Sequence, residues 1–372
     1  MKLNSYVRLG GIVSGSGALN VSQFGVVKLN AAHTYSGQTQ IDNGELLIES
    51  SGSNSSTSGT FVGNGGQLSN VAKLWLSNSS GGTNYTNNIT INNGNANTRI
   101  VGGLNTSGTH IFSGNITNNS GNFTLSAFNT GGTTEFQGVI SGSNPIKIDG
   151  DGIVKLTNTS NSYTGGTTLT SGTLSIASNA VLSSGSLTMG NGSTPCILAV
   201  TDNTSRSQGI SIVDATTASV IDVANKKTFT FSGGLTNTGS TNTTRYGKSG
   251  AGTFIVSGNS TYAGQVQIGE GTVIVQASSG LGANTSTTAR GIDLGLNLGD
   301  VSMGNNVVLQ ATNSVVVPQS IYVAPNTSSA TRSISLSGSG AATFNNEIYL
   351  DGDLTVSGGT GTVTLSGKII NN

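Results

Sequence analysis

The chain has 372 residues, 56 of them Gly and only 8% charged, and its 15 basic and 15 acidic side chains cancel to a net charge of zero. With no Lys/Arg cluster it lacks a surface that could track a phosphate backbone, and its single Cys rules out an internal disulfide framework. No run approaches the ~18 apolar residues of a membrane-spanning helix, while 34% hydrophobic residues and only 4 Pro separate the chain from disordered polar tracts.

The N-terminal MKLNSYVRLG has no apolar centre of the kind a signal peptide needs. At Gly25 the chain reads GVVKL, and Tyr35 then opens YSGQTQIDNGELLI. KLWLSN, HIFSG, NFTLSAF and PIKIDG follow as short strands set apart by Gly, Asn, Ser and Thr. Gly152 opens GIVKL, and Tyr163 opens YTGGTTLTSGTLSI. After ILAVTD, SVIDV and TFTFSG, Gly252 opens GTFIV and Tyr262 opens YAGQVQIGEGTVIV. NVVLQ, SIYVA, SISLSG and DLTVSG lead to GTVTL at Gly361, a partial fourth copy near 361–372.

Three copies therefore run in register. Each Tyr is followed two residues on by Gly37, Gly165 or Gly264, and nine residues on by Gly44, Gly172 or Gly271. Apolar residues alternate within each strand: Thr167 and Leu169 share one face, and after the Gly172 turn Leu174 and Ile176 face one way; Ile41, Leu46 and Ile48 follow the same pattern, as do Val266, Ile268, Val273 and Val275. Period two is the strand signature, and the intervening glycines are expected to supply the positive φ of turns. No stretch of a dozen residues has helical periodicity.

Alone, such a strand–turn–strand unit cannot bury its apolar stripe; stacked on like units, it can. The expected fold is all-β, a right-handed parallel β-helix or β-solenoid, forming a single continuous segment over 1–372 in an elongated rod. At ~20–25 residues per turn and ~4.8 Å between turns, it would have ~15–18 turns and a length of ~75–90 Å. Stacked like charges repeat their repulsion at every turn, which accounts for the scarcity of charge. A β-sandwich array is the alternative, with Asn92–Gly94, Asp42–Gly44 and Asp149–Gly152 as its hairpin turns.

The pattern GTxxLxxxNxYxGxTxIxxGxLxI resembles the autotransporter-associated β-strand repeat, found in passenger regions of bacterial autotransporters and related large surface adhesins. Lys248 to Asn284 matches it best, then Gly150 to Leu182, then Val26 to Gly52. The resemblance implies a right-handed β-helix, export to the bacterial cell surface, and a role in adhesion, aggregation or display. It brings no catalytic residues, and it makes Lys248 the repeat's basic residue before GxG. The chain ends in LSGKIINN without barrel-like strands, and VTLSGKII near its end resembles VRLGGIVS near its start. Two expectations follow: part of a longer stalk, or a subunit stacking end to end. The expected partners are adjoining segments of the same chain, like copies, or a host or neighbouring-cell surface.

Local motifs point to no chemistry. YGKSG, Tyr246 to Gly250, has Asn242 where a phosphate loop needs Gly. DGD at Asp149–Asp151 and Asp351–Asp353 completes no calcium loop and reads as turn aspartates capping N–H groups. His33 and His110 are isolated, and Cys196 in PCILAV reads as a small buried hydrophobe. Asp202, Arg206 and Asp214 form the densest charged set a β-helical glycosidase or lyase could use. Trp75 and Tyr85 could stack on sugars but read as core or turn residues. The expectation is a non-enzymatic stalk without cofactor or metal; an end-to-end filament is the alternative, and a carbohydrate-active β-helix enzyme the third reading.

Overall fold

The computed structural model describes residues 6–50, 58–63, 71–93, 98–191, 193–213, 219–238, 244–282, 291–295, 306–325 and 330–371. They fall into two compact units, one comprising Met1–Ser175 with Ala180–Gly185, the other Ile176–Asn179 with Ser186–Asn372. The strands are short, mostly three to five residues, and they pair in parallel, as at Gly25–Leu29 against Gly44–Ile48 and Thr253–Val256 against Gly271–Val275. Only a single 3-10 turn, Asn179–Leu182, interrupts the all-β pattern among the described residues. The fold is a parallel β-solenoid.

The first unit has three walls. One stacks Tyr6–Leu9, Gly25–Leu29, Gly44–Ile48, Ala72–Leu76, Arg99–Gly103, Phe123–Ala127, Ile146–Asp149 and Thr167–Leu169 in that order. A second runs from Leu19–Val21 through Thr39–Ile41 to Ile140–Ser141, and a third from Asn84–Tyr85 through Thr109–Phe112 to Ile153–Leu156. The second unit repeats the plan, with a wall from Cys196–Val200 to Ile369–Asn371 and another from Thr204–Arg206 to Leu354–Ser357.

Parallel pairing overturns the β-sandwich alternative. Asp42–Gly44 joins Thr39–Ile41 to Gly44–Ile48 on a different wall, and Asp149–Gly152 likewise joins Ile146–Asp149 to Ile153–Leu156. Gly94 lies outside the described residues. The turns number about 13, fewer than the even spacing predicted, because they are uneven. Gly25 lies opposite Gly44, an offset of 19 residues, whereas Gly271 lies opposite Val307, an offset of 36.

The alternating residues fill the interior. Ile41, Leu46, Leu169, Leu174, Val266, Ile268 and Val273 are all buried. Aromatic rings stack from turn to turn: Phe112 opposes Phe136 with ring centres 5.1 Å apart and planes at 7°, and Phe229 opposes Phe254 at 5.5 Å. Half-buried charges find opposite charge on the next turn. Glu45 faces Lys73 and Glu135 faces Lys155 in register, with ion pairs at 2.8 and 3.3 Å. Such half-buried pairs show how a stacked fold accepts charge at all.

Candidate functional site: the repeat and its turns

Each repeat copy is a turn that closes on itself. Gly25–Leu29 stacks directly on Gly44–Ile48, and Thr253–Val256 on Gly271–Val275, while the strand between them, Thr39–Ile41 or Gln265–Ile268, lies on another wall. The copy at Tyr163 closes the same way: Thr173 N–H donates to Gly152 O at 3.0 Å.

Tyr35, Tyr163 and Tyr262 are wholly inside. A buried phenol needs a partner. Tyr35 and Tyr163 find one four residues on, in the Thr39 and Thr167 hydroxyls at 2.7 and 2.8 Å. The third copy has Val266 there, and Tyr262 donates to Gln265 O at 3.2 Å instead. Tyr85 occupies the same place in a degenerate copy and bonds Thr60 on the preceding turn. Tyr85 and Trp75 are both buried, as the core reading expects.

The glycines do two different jobs. Gly37, Gly165 and Gly264 do not need positive φ. They sit where neighbouring turns touch, so that a Cβ would come within 2.3 Å of Gly17 O, 2.2 Å of Pro145 N and 2.2 Å of Thr244 O respectively. Gly44 is likewise in a strand, 2.4 Å from Gly25 O by the same measure. Of these six, only Gly172 and Gly271, with φ of 63° and 74°, fill the left-handed role the sequence suggested.

Lys248 is fully buried. Its Nζ donates to Ser249 O at 2.8 Å, to Glu270 O at 2.9 Å, and to Gly250 O. Burial pulls its pKa down to about 8, against the opposing pull of Asp222 and Glu270. An ammonium held by backbone carbonyls is not a phosphate ligand, which disposes of the phosphate-loop resemblance of YGKSG; Asn242 lies outside the described residues.

The remaining candidates resolve plainly. Gly150 N–H donates to Asp149 Oδ1 at 3.0 Å, the capping role foreseen for it; hydrogen bonds from Ser171, together with Lys147, hold the Asp149 carboxyl below its usual range despite partial burial. Asp351 accepts from Tyr322 OH. Asp202 is an exposed partner of Lys227 at 2.7 Å, whereas Arg206 is buried and bonds Asn179 Oδ1 at 2.8 Å. The structure does not bring these two together as a charged site, and Asp214 lies outside the described residues. Cys196 is buried against Ser219, and burial pushes its thiol up to about 11, the inert state expected of a core Cys. Among the described residues no group of three His, Cys, Asp or Glu side chains could hold a metal ion.

Sequence reasoning missed the buried cations. Arg99, Arg206 and Arg332 join Lys248 inside the molecule. Parity was the available signal. Arg99 alternates in phase with Val101, Arg332 with Ile334 and Leu336, and Lys248 with Tyr246. Arg99 and Arg332 lie across Gly63 and Gly295, where a Cβ would come within 1.9 and 1.7 Å of the guanidinium Nε.

A sequence-family profile described as passenger-associated-transport-repeat matches residues 25–48, 149–176 and 248–275. These are the three copies read from the sequence. Neither a curated protein nor a solved structure matches the chain.

Proposed function

We propose that this chain, which carries three copies of the autotransporter passenger repeat, is a non-enzymatic stalk segment of a secreted bacterial surface protein. The observation that carries this reading is the self-closing turn. Each copy lays its last strand on its first, so repeats and the turns between them add to continuous parallel walls without needing a partner domain. A nearly uncharged surface with opposite charges paired along the stack suits a spacer that holds an adhesive or displayed region away from the cell. Among the described residues no helix is long and apolar enough to cross a membrane.

A filament assembled end to end is the second reading, and the strand edges favour it. Among the described residues, Tyr6–Leu9 and Ile369–Asn371 each have a strand neighbour on one side only. Tyr6, Val7 and Ile369 are 52%, 58% and 56% exposed. A further turn of the same fold, from adjoining chain or from a second copy, would cover them.

Electron microscopy of the purified chain across a concentration series, with light scattering alongside, separates the two. Discrete particles of constant length at every concentration support the stalk; filaments that lengthen with concentration support assembly. Release of reducing ends or unsaturated products from pectin, alginate or glycosaminoglycan would sink both in favour of an enzyme.

A further inference from the structure

One position in the repeat has a constant task and a variable residue. Two residues before the conserved aromatic ring, a buried side chain accepts a backbone N–H from the preceding turn. Asn161, two before Tyr163, accepts from Ile140 N at 2.8 Å; Ser260, two before Tyr262, accepts from Leu235 N at 2.8 Å. His33, two before Tyr35, does the same through Nδ1, from Val13 N at 3.0 Å. His110 stands two before Phe112, which pairs in register with Tyr85, and its Nδ1 accepts from Thr83 N at 3.3 Å. These are the only two His of the chain.

Asn and Ser accept this bond at any pH. A histidine accepts it only while neutral, because imidazolium carries a proton on both ring nitrogens. We propose that His33 and His110 are acid-released latches of the first unit, each tying its turn to the preceding one through a neutral ring nitrogen. On protonation, N–H faces N–H across a buried contact, and the bond becomes a repulsion between two donors. Both rings are buried. Val13 lies against His33, and Asn78, Thr83, Gly103, Asn105 and Thr134 lie around His110. None of these side chains titrates. Glu135, beside Thr134, pairs with Lys155 instead. Burial lowers the pKa of both rings below the ordinary value of 6.5, at His110 against an upward pull from backbone contacts with Asn78 and Thr83. In sign, a base with a lowered folded pKa binds more protons when unfolded, so stability falls as pH drops below about 6.5. The second unit has no His and lacks this window.

Trp75, the chain's only Trp, is buried in the first unit and reports on it alone. The test compares the acid titration of Trp75 emission in the full chain with that of the double variant His33→Asn, His110→Asn, which installs the residue found at position 161. The parent is expected to lose native emission from about pH 6 downward, and the variant to hold it to the carboxylate range near pH ~4. Coincident profiles would overturn the proposal. If the double variant lacks native emission at pH 7.5, histidine ring-proton NMR of the unaltered chain decides: both rings titrating below ~6.5 supports the latch, and either at or above ~6.5 overturns it.

Discussion

Gly150 and Gly250 stand at the same turn of two repeat copies, one in each unit, and the two turns close by different chemistry. At Gly150 the closing group is a hydroxyl from the next turn: Ser171 Oγ lies 2.7 Å from Asp149 Oδ1 and 3.0 Å from Gly150 O, with one proton to share between them. At Gly250 the position of Ser171 is taken by Glu270, whose side chain cannot donate when ionised. The Gly250 carbonyl is met instead from inside, by Lys248 Nζ, while Ser249 Oγ turns to Asp222 Oδ2 at 2.7 Å. The first copy has neither device. Its turn runs through Gln23 and Phe24 at φ of 54° and 61°, unusual for non-glycine residues. What the repeat preserves is the path of the backbone and the need to satisfy its carbonyls; which side chain satisfies them is free to change.

The comparison can be broken most sharply at Lys248. Lys248→Met keeps the buried stem and removes the donor, leaving carbonyls of Ser249, Gly250 and Glu270 short of a partner. The second unit should lose about 3 kcal/mol, read as a lower urea midpoint by circular dichroism, with hydrogen exchange rising around 245–275. Gly165→Ala tests the backbone path shared by both copies. Its Cβ would meet Pro145 N at 2.2 Å, so about 2 kcal/mol of stability should go; a variant as stable as the parent would show that the turns are not in contact there. Ser171→Ala removes the hydroxyl closure and should cost about 1 kcal/mol, measurable through Trp75 in urea.

The same buried ammonium predicts a pH dependence. Lys248 binds its proton less tightly folded, at about 8, than unfolded, at 10.5. The unfolded chain therefore holds more protons across that window, and stability rises with pH between the two values. The parent should gain on Lys248→Met between pH 8 and 9.5, and a constant difference between them would contradict the buried ammonium.

Much of this was legible in the sequence, and the reason is parity. Leu46, Leu169 and Val273 face inward because alternation leaves a strand residue no other choice, and the three-fold recurrence of Tyr and Gly marked the unit that stacks. The task of Gly165 was not legible, since a glycine needed for close approach looks like one needed for a turn. Turn length was hidden for a similar reason: the Gly, Ser and Asn that lengthen a corner are the residues that make one. The burial of Lys248 and Arg99 was not read, because charge suggests a surface even where alternation points inward. His33 and His110 looked isolated because their partners are backbone groups 20 and 27 residues away in the chain.

The self-closing turn also bears on how the chain finds its fold. Bringing two strands of one wall together costs chain entropy that grows with the length between them. The offset of 19 residues within the copies at Gly25 and Thr253 is the smallest among the described pairings, against 36 at Gly271. By loop-closure scaling the difference is roughly half a kcal/mol per closure. The repeats are then nucleation sites spaced along the chain, each able to form its first wall contact early and to template the longer turns beside it. Pulse-labelled hydrogen exchange during refolding should find 25–48 and 248–275 protected ahead of 271–311, and the reverse order would remove the repeats from that role.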